Sequence, residues 1–211
     1  MKPRFLAPLA FVAASYLVTL AAPSTAHAQL TNNVTTLGGP TTANAQIVPK
    51  AITVSLPKTP EFTTLGGEGQ AKRYTLGTWA EIEVEFSCSA RTAEVPMKMS
   101  VLINGQNLVG EQTLIDVPAG QSLFTVMYIA PRPLATALKG AALTPNSIQN
   151  VAVQFSRAGV AAPVATKMLR DGQPFFNTMQ QIPNFVLPKN GTPFAPLYWD
   201  RYEQIKPVSN R

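Results

Sequence analysis

The clearest pattern in the chain is a strict alternation from Gly77 to Cys88 (GTWAEIEVEFSC). Ala80, Ile82, Val84, Phe86 and Cys88 alternate with Trp79, Glu81, Glu83, Glu85 and Ser87. A period of two places the first set on one face of a strand and the second on the other. The apolar face predicts a core anchor carried by Ile82, Val84 and Phe86. The acidic face predicts water or basic partners opposite, with Lys98 on a neighbouring strand as the candidate.

Weaker versions of this pattern run from Gln46 to Leu169. Ile52, Val54 and Leu56 alternate with Thr53 and Ser55, and Pro49 and Pro57 suit an edge strand. Ser89 to Val95 reads as a turn and Pro96 as the start of the next strand, with Met97, Met99, Val101 and Ile103 on one face. Asn104-Gly105 predicts a type I′ hairpin, because both positions need positive φ. The return strand is expected over 106–110, with a further short strand over 111–117. Ser122 to Ala130 is apolar on both faces, so both should be covered. Leu134, Ala137 and Leu138 stand at i, i+3 and i+4 before Gly140, which predicts a short helix over 131–139. Val151, Val153 and Phe155 point inward from a strand over 147–157. A last strand is expected over 160–169, with a bulge or edge position at Pro163. Short strands with turn signals between them are the profile of an all-β fold. The strand count resembles an antiparallel immunoglobulin-like β-sandwich with one short helix. The Cys pair and core Trp of that family are missing, so a jelly roll or other sandwich stays open.

Four segments follow. Residues 1–28 read as a signal peptide: Lys2 and Arg4, an apolar run from Phe5 to Ala22, and a small-x-small site at Ala26-His27-Ala28. Residues 29–45 are low in charge and rich in Thr, Asn, Gly and Pro, as in a flexible leader. Residues 46–170 hold the sandwich. Residues 171–211 form an irregular tail in which prolines alternate with aromatics, including Phe175, Phe176, Phe185, Phe194, Tyr198, Trp199 and Tyr202. A polar linker would not carry so many aromatics. The tail should pack on the sandwich or dock on a partner, with Phe194, Tyr198, Trp199 and Tyr202 as the contact residues.

Composition narrows the chemistry. The chain has one histidine, His27, and it falls inside the expected signal. A processed chain would therefore lack imidazole, and with it a Ser-His-Asp triad or a histidine metal site. Cys88 is the only cysteine, so no internal disulfide forms, and its place on the apolar face predicts a buried, inert thiol. The net charge of +6 falls to +4 once Lys2 and Arg4 are removed, and no dense basic cluster appears. No nucleic-acid partner is expected. The loop with Gly66, Gly67 and Gly69 has no following Lys-Ser/Thr or helix and reads as a turn rather than a phosphate cradle. Glu81, Glu83 and Glu85 would stand roughly 6.5–7 Å apart along one face. That spacing overlaps a carboxylate-based glycan hydrolase, but like charges on an exposed strand read first as a solvated face. No catalytic, cofactor-binding or metal-ligating set is expected, and no cofactor.

The tail carries one resemblance. Thr192 to Tyr202 (TPFAPLYWDRY), preceded by Ile182 to Pro188 (IPNFVLP), is similar to the ends of small exported proteins of verrucomicrobial bacteria. The family it resembles is the secreted immunoglobulin-like protein associated with the type IV pilus-like locus of Akkermansia-type bacteria. The resemblance implies an immunoglobulin-like fold and a place in the periplasm, secreted or at the cell surface. No long apolar helix follows the expected signal, so the chain would be an accessory rather than a filament subunit. The expected function is a non-enzymatic binding or assembly module with a protein partner at the envelope or surface, or with itself. A carbohydrate-binding module, using Trp79, Tyr198 or Trp199 on a glycan, is the alternative, and a glycan hydrolase a more distant one. Membrane contact is expected only through an uncleaved signal.

Overall fold

The computed structural model describes residues 45–62, 76–160 and 162–207. The expected signal peptide, the leader up to residue 44 and the Gly66–Gly69 loop lie outside the described residues. Nine strands occur in the described chain: β1 (Ile47–Ser55), β2 (Ala80–Cys88), β3 (Thr92–Ile103), β4 (Gln106–Val117), β5 (Gly120–Ile129), β6 (Ile148–Phe155), β7 (Ala165–Met168), β8 (Gln181–Pro183) and β9 (Val186–Pro188). Two short helices join them, α1 (Pro131–Ala137) and α2 (Phe175–Thr178). One sheet has the order β1-β2-β5-β9 and the other β7-β6-β3-β4-β8. All ladders are antiparallel except β4–β8. The fold is an all-β, immunoglobulin-like sandwich.

The alternation read from the sequence is the alternation that folds. On β2 Ile82, Val84 and Phe86 are completely buried between the sheets, while Glu81, Glu83 and Glu85 line the outer face. Across the interior, Val95, Met97, Met99, Val101 and Ile103 of β3 and Val151, Val153 and Phe155 of β6 meet them in one cluster. The rings of Phe86 and Phe155 lie 5.1 Å apart and tie the two sheets directly. Cys88 is buried and reduced, and its thiol donates to the Ala90 carbonyl at 3.0 Å. Asn104 (φ 46°) and Gly105 (φ 73°) make the β3–β4 turn in the conformation their types predict. Helix α1 starts at Pro131, whose ring packs so close to Gly77 that a Cβ there would lie 2.4 Å from it.

Several sequence boundaries need correction. Strand β3 begins at Thr92, so Ser89 to Val95 is only partly a turn and Pro96 lies within the strand. Its tolerance has a geometric reason. Pro96 lies one residue beyond the β3–β6 ladder, which ends at Met97↔Phe155, and its carbonyl accepts from the Ser156 N–H at 2.8 Å. The N and O of one residue face the same neighbour in an antiparallel strand. The absent N–H therefore faces past the end of β6 and breaks no ladder. The two strands expected over 106–117 are one strand, β4, which runs straight through Gly110. The strand expected over 160–169 is the four-residue β7 and is not the last. Lys98 does not face the glutamates: it is on β3 in the opposite sheet, where it pairs with Glu111 at 3.4 Å.

The tail completes the sandwich. Residues 181–183 add to β4 in one sheet, and after a two-residue crossing residues 186–188 add to β5 in the other. The tail then runs over the outer face of the first sheet and returns. Glu203 N–H donates to the Phe124 carbonyl on β5, Ile115 N–H on β4 donates to the Gln204 carbonyl, and Lys206 N–H donates to the Thr113 carbonyl. It thus crosses from one sheet to the other twice on the same side. The first crossing needs a glycine below it: a Cβ on Gly110 would lie 1.8 Å from the Val186 carbonyl oxygen. Pro183 and Pro188 end the added strands and present no N–H to a further strand.

The inter-sheet contact sets the first expectation. Phe86→Ala should lower the urea unfolding free energy by about 3–5 kcal/mol, the cost of a large cavity in a packed core. A loss under ~1 kcal/mol would show that this face does not carry the core.

Candidate functional site

The outer face of the first sheet is where tail and strand chemistry meet. β2 supplies Glu81, Glu83 and Glu85, β5 supplies Phe124, Val126 and Tyr128, and the tail lies across both. Phe194 is its anchor, only 4% exposed. Its ring stacks on Tyr128 with centroids 4.5 Å apart and planes 5° from parallel, and meets Trp79 edge-on at 5.5 Å. Trp79 is itself buried and donates from Nε1 to Thr59 Oγ1 at 3.0 Å. Trp79, Val126, Tyr128 and Phe194 form a second hydrophobic cluster outside the main core.

The acidic strip is fully engaged. Arg201 donates from Nε to Glu83 Oε2 at 2.8 Å and from Nη2 to Glu83 Oε1 at 2.7 Å, a bidentate fork. The Tyr202 hydroxyl donates to Glu83 Oε2 at 2.9 Å. Glu81 accepts from Tyr128 OH at 2.9 Å and Ser55 Oγ at 2.8 Å, and Glu85 accepts from Ser122 Oγ at 3.0 Å. The Arg201 guanidinium also lies 4.2 Å above the Phe124 ring. The Arg201 hydrogen bonds hold the Glu83 carboxyl below the usual carboxylate range, against the opposing effect of burial and with help from Tyr202. Burial and the adjacent glutamates push the Tyr128 and Tyr202 hydroxyls above their ordinary range, so both stay protonated as donors.

A second support lies beneath the turn. Lys189 is 6% exposed, and its Nζ donates to the Ala195 carbonyl at 3.0 Å. Burial lowers its pKa, opposed by the charge of Asp200. Thr192 Oγ1 donates to the Lys189 carbonyl at 2.8 Å and accepts from the Phe194 N–H at 3.2 Å. The chain from Phe194 to Arg201 is therefore fastened at both ends. At its apex Tyr198 is 63% exposed and Trp199 79% exposed. Tyr198 has φ 50°, a conformation costly for an aromatic residue that persists only where its surroundings impose it.

The four tail residues expected to meet a partner thus divide. Tyr198 and Trp199 point outward. Phe194 does not: its ring is spent on Trp79 and Tyr128, which corrects its assignment as a contact residue. Tyr202 is half-buried and its hydroxyl is committed to Glu83. Trp79 is likewise closed to a glycan. The sequence pattern does not single out Arg201 or Lys189, although an arginine inside an aromatic tail is a ready complement to the acidic strip of β2. Among the described residues no group of His, Cys, Asp and Glu is arranged to hold a metal, and no helix is long and apolar enough to cross a membrane.

Fold and site together define an immunoglobulin-like sandwich closed by its own C-terminal strap. A family model matches residues 40–209, and the chain belongs to that family, in keeping with the resemblance of its tail. Three solved chains match its structure. One is a crystal structure of a protein from Akkermansia muciniphila, with 18% identity and a TM-score of 0.65, covering 80% of this chain and 97% of that one. At that identity the likeness shows the shared fold. None of the curated proteins matches the sequence.

The Glu83 clamp should be acid-sensitive. A carboxyl whose folded pKa is depressed stabilises above its unfolded pKa, and that contribution is lost as pH falls through the folded value. Glu203, raised by burial, has the opposite sign and favours the fold as pH falls. Urea unfolding of Glu83→Gln should therefore show a deficit of about 1 kcal/mol near neutral pH, modest because the ion pair is partly exposed. The deficit should shrink toward zero in acid. A deficit that does not change with pH would contradict the clamp.

Proposed function

We propose that this protein is a non-enzymatic, exported binding or assembly module that works at the bacterial cell surface as an accessory of a pilus-like system, and that it meets its protein partner through Tyr198 and Trp199. Family membership supports the pilus association. The signal-like N-terminus supports export to the periplasm or beyond. The observation that carries the contact site is the 79% exposure of Trp199 on a turn fastened on both sides. An exposed indole on a rigid loop costs little entropy on binding, and Trp and Tyr dominate interface hot spots. The glutamates are held by the chain's own donors, so a hydrolase would have to release its proposed acid and base from the tail.

One observation favours a second reading, a carbohydrate-binding module. Trp199 stands in sequence between Tyr198 and Asp200, all three exposed, which offers an apolar ring beside groups that can hydrogen-bond. A glycan array and a surface-fraction binding assay separate the two. Trp199→Ala should weaken binding to the purified surface fraction by ~30-fold, the loss of one hot spot, and leave the melting temperature unchanged. Equal binding by wild type and variant would remove the turn as the contact. Array binding lost in the variant would move the assignment to glycan.

A further inference from the structure

The tail covers the outer face of the second sheet as well as the first. Residues 171–180 lead from β7 at one edge of that sheet to β8 at the other, and so pass over β6 and β3. Residues opposite one another in a ladder share a face. Ser100 and Leu102 of β3, Asn107 of β4 and Ala152 of β6 therefore form the floor of this crossing. Phe175 and Phe176 of α2 pack on Ala152, with Leu102, Met168 and Met179 around them. The crossing grips the floor through few side chains. Phe175 and Phe176 are buried and Met179 partly so, while the other residues from Asp171 to Gln180 are exposed. At one end the Arg170 N–H donates to Asn150 Oδ1 at 2.9 Å. At the other, Gln181, which pairs with Asn107, donates from Nε2 to the Phe176 carbonyl at 3.1 Å. Among the described residues no other hydrogen bond ties residues 171–180 to a strand.

The floor is polar where an apolar one would hold the rings better. Ser100 is 1% exposed and Asn107 is completely buried. Ser100 Oγ and both Asn107 side-chain atoms, Oδ1 and Nδ2, have no hydrogen-bond partner among the described residues. Leaving a buried polar group unpaired costs free energy of the same order as burying an aromatic ring gains. Closure therefore sets two rings against three unpaired groups, and opening returns those groups to water. We infer that residues 171–180 form a lid that opens as a unit while both sheets stay folded, with Ser100 and Asn107 setting how readily it does so. Open, it bares a hydroxyl and a carboxamide beside Leu102 and Ala152. Beyond Gln181 the tail is paired with β4 and β5 and stays with the sheets. The lid lies on the opposite sheet from the Tyr198–Trp199 turn and is independent of the contact proposed there.

Thiol labelling of the full chain tests this. Ser100→Cys places a thiol under the lid, and Cys88, buried between the sheets, reports global opening in the same molecule. Both are labelled with iodoacetamide and followed by peptide mass spectrometry, each rate taken relative to the same thiol in urea. The thiol under the lid should react roughly tenfold or more faster than Cys88, because a local opening costs less than the global one. In that background Asn107→Leu removes two unpaired groups and should slow its labelling by about fivefold or more. Phe176→Ala should speed it by about tenfold or more and leave Cys88 as it was, since the ring grips only the closed lid. Equal rates at the two thiols, or a Phe176→Ala variant that speeds both alike, would overturn the lid. Labelling that is unchanged or faster in Asn107→Leu would show that Asn107 is satisfied in the closed form and would overturn its role.

Discussion

The structure depends on how one side of the sandwich is closed. Strands β4 and β5 each end their sheet on that side if the tail is left out. Two exposed edges side by side would leave backbone donors and acceptors unpaired and core side chains uncovered. The tail resolves both defects with one segment. It pairs with β4, crosses, pairs with β5, and inserts Val186 into the main core. The crossing works only because Gly110 lets the Val186 carbonyl approach a distance no side chain would allow. A glycine that looks like a break in a strand is thus the seat of the closure.

The acidic face of β2 acquires its meaning from that closure. Like charges on neighbouring positions repel, and in isolation the strip would weaken the sheet. The tail brings Arg201 and Tyr202 to Glu83, and Tyr128 and Ser55 serve Glu81. The energetics favour the rings over the charges. Burying an aromatic such as Phe194 contributes roughly 1.5–3 kcal/mol, whereas a partly exposed ion pair contributes about 1 kcal/mol or less. Phe194 and Val186 hold the tail down, and the Glu83–Arg201 fork fixes where the turn between them points. That division of labour lets the apex carry a strained Tyr198 and a bare Trp199.

What the sequence revealed follows the range of the interactions. The period of two from Ala80 to Cys88 and the Asn104-Gly105 turn are local signals, and both appear in the structure as read. Gly110 reads as a boundary in the sequence because its partner, Val186, lies far along the chain and nothing near it announces the contact. The three-residue strands β8 and β9, bounded by proline, are too short for any periodicity to mark. Pairing the glutamates with Lys98 failed for the same reason: which strands become neighbours is decided by the whole fold, and β2 lies between β1 and β5 rather than beside β3. The tail's aromatic content was legible, but which rings face inward was not. Phe194 and Trp199 stand five residues apart in a proline-rich run with no helical or strand period, and only the surface they meet separates anchor from contact.

The tail is therefore part of the domain rather than an appendage, and the proposed contact turn inherits its rigidity from that. Amide hydrogen exchange on the full chain tests this most directly. If the tail closes both sheets, the amides of Ile182 and Leu187, which face β4 and β5, should exchange only through the same global opening that exposes Ile82 and Val101. Tail amides that exchange orders of magnitude faster, while β2 and β3 stay protected, would contradict it.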